Sequence, residues 1–222
     1  MGLNPVPTEL TTAATDAMIA LLGIGCIRWL AMRRSADPDK VTLWVLVLGL
    51  LVIASALGAV AHGLDLSSEM LFILWQPLFL SLGLVVALFV VAAAYDAFGP
   101  RAARKLLIPA VVIGAGFYLV TLLFPGTFLV FVLYEAAAML LALGLYIRVA
   151  LHTRERWAWL MVLGIALNIA AAAIQATGSV RIDIGVPLDH NGVFHVVQMV
   201  ALVVLVAGVG QSLTRDSGTM TS

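Results

Sequence analysis

Between Lys40 and Asp65 the chain carries no fixed charge, and the same holds from Met70 to Tyr95, from Leu106 to Tyr134 and from Trp157 to Val180. Each of these runs is longer than the roughly 20 apolar residues that cross about 30 Å of hydrocarbon as a helix. Their solvent is therefore a bilayer, in which only a helix or a closed barrel satisfies the backbone. A barrel would alternate apolar and polar residues over segments of about 10, and these runs do not alternate. The expectation is an all-α integral membrane bundle. Composition agrees, with 63% of residues hydrophobic and 11% charged, a balance foreign to a water-soluble domain of this size. The formal net charge is zero, so nothing in it calls for a nucleic-acid partner. The single cysteine, Cys26, falls inside the first apolar stretch and reads as a small buried residue.

Breaks at Pro38, Gly63, Gly99 to Pro100, Pro125 to Gly126, Arg154 to Arg156 and Gly178 to Pro187 divide the chain into seven spans. These are expected near 13–33, 41–63, 69–96, 104–124, 127–151, 157–178 and 191–213, forming one domain over 1–213, with 214–222 a disordered tail. Pro77 and Pro109 fall within spans, where neighbouring helices can satisfy the freed carbonyls. The first stretch lacks a basic leader and a small-residue cleavage site, so it reads as a retained helix. Of the 12 lysines and arginines, eleven lie after odd-numbered spans and only Arg181 lies on the other side. Such residues accumulate in cytoplasmic loops. The N-terminus is therefore expected outside and the C-terminus in the cytoplasm. Microbial rhodopsins share this layout but carry a lysine within the seventh span, whereas Lys40 and Lys105 read as loop residues.

Polar groups at membrane depth are costly and face the bundle interior. Ser55 and His62, Glu69 and Gln76, Asn168 and Gln175, and Asn191 and Gln198 are each seven residues apart, which is two turns and hence one helix face. His195, Asp16 and Glu135 fall in the same outer half, whereas the inner halves hold almost only Ala, Val, Leu, Ile and Gly. A polar pocket in the outer half of the bundle follows. Of the histidines, His62 closes span two and His190 and His195 open span seven, all on the outer side; His152 lies at the opposite interface. Three imidazoles suit a catalytic zinc with water at the fourth position. They equally suit hydrogen bonds to Asp65, Glu69 and Asp189 that tie helix ends together. The residues alone leave both readings open.

The segment SALGAVAH, with Ser55 and His62, and the segment DHNGVFHVVQ, from Asp189 to Gln198, resemble the seven-span superfamily of alkaline ceramidases and progestin and adiponectin receptors. The resemblance implies Zn2+ held by His62, His190 and His195, with catalytic roles for Ser55 and for a carboxylate at Glu69 or Asp65. It also implies hydrolysis of a ceramide-like amide in a lipid, in a bacterial branch placed in the inner (plasma) membrane. The chain departs from the superfamily at three points. His190 and His195 are five residues apart instead of four, which turns the two rings about 140° from each other on an ideal helix. Gly58 stands one turn before His62 where the superfamily has serine, and the third span offers Glu69 in place of aspartate. Two other classes remain: a non-enzymatic sensor or ligand-binding protein using the same pocket, and a b-type haem protein with His62 and His195 as axial ligands.

The basic-residue bias makes a direct prediction. A reporter fused to the C-terminus is active when it is the cytoplasmic kind and silent when it requires export; the reverse pattern overturns the orientation.

Overall fold

Helix starts are written locally. Pro7 and Pro38 open α1 (Pro7–Ala31) and α2 (Pro38–Gly63), and Asp37 caps the latter by accepting from the Lys40 N–H. Proline suits a first turn, whose N–H groups lack helical partners. Ser67 caps α3 (Ser68–Phe98), and Gly99, at φ 84°, turns the chain directly into α4 (Pro100–Leu123). Two further helices follow, α5 (Phe128–Thr153) and α6 (Arg156–Thr177), the latter stopped by Gly178 in the left-handed conformation. A short antiparallel hairpin, β1 (Ile182–Asp183) and β2 (Pro187–Leu188), leads into α7 (His190–Thr219). The computed structural model describes residues 2–124 and 128–219. All seven helices are long and apolar enough to cross a membrane. Residues 214–219, expected in a disordered tail, continue α7, and 220–222 lie outside the described residues.

Six helices form a closed ring in the order α1, α2, α3, α5, α6, α7 and back to α1, and α4 stands outside it against α3. That contact is close because Gly83 and Gly114 face each other: a Cβ on Gly83 would lie 2.6 Å from the Gly114 carbonyl oxygen. Phe117 of α4 also stacks on Tyr134 of α5, with ring centroids 4.6 Å apart. One half of the ring is a dry core in which Leu30, Val41, Trp44, Val91, Met161 and Val209 are buried.

The same half, expected to hold almost only Ala, Val, Leu, Ile and Gly, contains a polar cluster. Lys40, expected in a loop, lies in the first turn of α2 and is only 5% exposed. Its ammonium stands 2.5 Å from Asp96 Oδ1 and donates to Ser212 Oγ at 2.6 Å. The Tyr146 hydroxyl donates to the other Asp96 oxygen at 2.8 Å. A lysine can be withdrawn from water only with such partners. Here they come from α3 and α7, and Tyr146 of α5 joins through Asp96, so the cluster ties four helices together.

Removing one partner of a buried ion pair strands the other. Lys40→Met is therefore expected to destabilise the protein by about 3–5 kcal/mol, and Lys40→Met with Asp96→Leu by less than Lys40→Met alone. Thermal unfolding in detergent measures both; a Lys40→Met variant that melts with the wild type would show that the pair does not hold this end.

Candidate functional site

Toward the opposite end the six ring helices part around a cavity of about 460 Å³. Its apolar wall includes Leu51, Leu78, Leu82, Val86, Phe131 and Phe194. Its polar wall is made by Asp16 of α1, Ser55 of α2, Glu135 of α5, Gln175 of α6, and Asn191 and Gln198 of α7. His62, His190 and His195 line it as well. Loops lie at this end. Residues 2–4 pair with the segment after α2 through Asn4 N–H to Gly63 O and Asp65 N–H to Gly2 O, and the hairpin leans on α1 where Thr11 Oγ1 donates to Pro187 O at 2.7 Å.

The start of α7 is fixed from both sides. The Asp189 carboxylate accepts from the Asn191 and Gly192 N–H groups, each at 3.0 Å, and from Thr12 Oγ1 at 3.3 Å. A carboxylate there satisfies otherwise unpaired N–H donors. One turn further in, His195 is 8% exposed, and its Nδ1 lies 2.9 Å from Thr15 Oγ1. The Thr15 hydroxyl also lies 2.9 and 3.1 Å from the Thr12 and Thr11 carbonyl oxygens. Nε2 faces Asp16 Oδ1 at 3.5 Å.

Asp16 can lie against α2 because residue 58 has no side chain: a Cβ on Gly58 would stand 2.6 Å from Asp16 Oδ2. The glycine that replaces a serine in the resembled motif thus makes room for a carboxyl from α1. His62 donates from Nδ1 to Glu9 Oε2 at 2.6 Å and meets the edge of Trp75. Gln175 Nε2 donates to Asn191 Oδ1 at 3.1 Å, joining α6 to α7. Glu135 is 8% exposed, and its Oε2 has no hydrogen-bond partner among the described residues.

Of the residues singled out from sequence, His62, His190, His195 and Ser55 meet at the cavity, as do Asp16 and Glu135. Glu69 and Asp65, expected as the catalytic carboxylates, do not: both are exposed and outside the lining. The cavity face of α3 passes through Trp75, Leu78 and Leu82, and helical geometry places Glu69 well off that face. Gln76 turns to the seam with α4, where Tyr118 donates to its Oε1 at 3.2 Å, and Asn168 donates back to the Gly164 carbonyl. Sequence reasoning passed over Thr12, Thr15 and Glu9; the signal for them was the run of hydroxyl and acidic residues at the start of α1.

A zinc ion needs imidazole nitrogens converging at about 2.0–2.1 Å. Among the described residues no three His, Cys, Asp or Glu side chains are grouped to hold a metal. His62 Nδ1 is turned to Glu9, and the two nitrogens of His195 are turned to Thr15 and Asp16. The three histidines share the cavity, and Glu9 and Thr15 engage Nδ1 of His62 and of His195, which leaves Nε2 as the nitrogen of each ring that a metal would take.

A closed ring of apolar helices around a part-polar cavity defines a seven-helix protein with the make-up of an integral membrane protein. Residues 11–214 match the family described as "Family of unknown function (DUF6962)", and the chain belongs to that family. No curated protein and no solved structure matches it.

With no three-ligand group among the described residues, purified protein is expected to hold no stoichiometric zinc, and chelator to leave its melting temperature in place. A zinc content near one per chain that His195→Ala abolishes would mean the imidazoles rearrange around an ion.

Proposed function

We propose that this chain is a membrane-embedded binding protein that holds a small amphipathic molecule between its helices. Its N-terminus is outside, its C-terminus is in the cytoplasm, and the cavity opens toward the outer side. The observation that carries this reading is the gradient along the cavity. On α2 the lining runs from His62 near the loop end to Leu51, eleven residues or about 16 Å of helix. On α3 it runs over the same length from Trp75 to Val86. His62, His190, Gln175 and Asn191 form the end nearest the loops; Asp16, Ser55, Glu135 and His195 form the middle; Leu51, Leu82 and Val86 form the floor. Sites for small molecules have this make-up, mostly apolar with a few placed polar groups, and this size.

The bias of basic residues supports the orientation, with Arg101, Arg104 and Lys105, then Arg148, Arg154 and Arg156, at the end opposite the cavity. Lys40 belongs to a buried pair and adds nothing to that loop charge. Binding fits the geometry better than amide hydrolysis. Ser55 makes no hydrogen bond to an imidazole among the described residues, and of the carboxylates expected as candidates for the base Glu69 and Asp65 lie outside the cavity lining, whereas Asp16 and Glu135 lie on it.

Filling the floor tests the reading. Wild-type protein in phosphatidylcholine nanodiscs is expected to bind a fluorescent long-chain alcohol saturably. Ala54→Trp and Leu82→Trp, which obstruct the cavity from different helices, are each expected to weaken it by about tenfold, equivalent to 1.4 kcal/mol. Undiminished binding in two folded, cavity-filled variants would place the alcohol elsewhere and sink the proposal.

A further inference from the structure

We infer that the molecule held in this cavity carries a protonated amine, gripped between the Glu135 and Asp16 carboxyls, above a hydrocarbon body; the inference rests on the proposed binding role of the cavity. Glu135 lines the cavity, is 8% exposed, and leaves Oε2 without a hydrogen-bond partner among the described residues. A buried polar atom left open destabilises the protein that contains it, and a donor arriving from the cavity removes that penalty. Asp16, 6% exposed, is the second buried carboxyl on the wall. Its Oδ1 is 3.5 Å from His195 Nε2, a long contact, and its Oδ2 rests against Gly58.

Charge decides the sign of the ligand. Among the described residues no lysine or arginine lines the cavity, and the carboxylate facing His62, that of Glu9, is outside the lining. The cavity thus presents two carboxyls and no permanent cation. An ammonium has three donors and accepts nothing, which suits two acceptors on different helices, α1 and α5. A calcium or magnesium ion would require several more oxygen ligands, whereas the floor beneath the carboxyls is Leu51, Leu82 and Val86. The class that fits both ends is a lipophilic primary amine.

The experiment displaces the fluorescent alcohol from full-length protein in phosphatidylcholine nanodiscs with decylamine or with decanol, after subtraction of partitioning into empty discs. Wild type is expected to prefer decylamine by at least about tenfold. Glu135→Gln and Asp16→Asn, which keep side-chain shape, are each expected to bring that ratio toward one. If wild type takes both equally, the amine assignment fails while the binding role stands. If the fluorescent alcohol itself does not bind, the binding role fails. A preference for decylamine that survives intact in folded Glu135→Gln and Asp16→Asn arises outside the carboxyls and also overturns the assignment.

Discussion

An ionisable side chain placed among apolar helices must find its partners inside the protein, because hydrocarbon offers none. This chain meets that demand in two ways at its two ends. Lys40 and Asp96 form a closed pair, completed by Ser212 and Tyr146 and sealed in a dry core. Asp16 and Glu135 instead border a cavity, with His195 at 3.5 Å from one and an open oxygen on the other. The closed pair fixes where α2, α3, α5 and α7 converge, and the open carboxyls lie where the helices have parted.

That parting depends on the ring. With α4 outside, six helices enclose a space that close-packed side chains fill at one end and only line at the other. Glycine sets the approaches that make this possible. Gly83 and Gly114 bring α4 flush against α3, and Gly58 lets the Asp16 carboxyl lie against the backbone of α2. A methyl group at any of these would move a helix or a carboxyl, since packed interiors transmit small volume changes.

The histidines show how hydrogen bonds from neighbouring helices orient a cavity wall. Three imidazoles line one cavity. Glu9 and Thr15 hold the Nδ1 atoms of His62 and His195 through protein hydrogen bonds. These contacts fix the two rings as rigid parts of the wall.

Much of this was legible in the order of residues. The charge-free runs determined seven helices with breaks near the observed ones, because the length of hydrocarbon to be crossed leaves little choice. Two-turn spacing located Ser55, His62, Gln175, Asn191 and Gln198 on faces that do meet at the cavity. Spacing relates residues only within one helix, however, and cannot tell which neighbour a face will have. Glu69 and Gln76 share a face as expected, yet Gln76 meets α4 and Glu69 is exposed, because α3 touches both the ring and its outlier. Lys40 read as a loop charge because its partners Asp96 and Ser212 are distant in the chain. Sequence by itself thus determined the helices and where along each one most of its polar groups fall, which follow from local hydrophobicity and helical rise. Tertiary structure alone decided the partners, through which Lys40 became a tie, Gly58 a berth for Asp16, and three histidines a wall; pairing across helices depends on packing that no single helix contains.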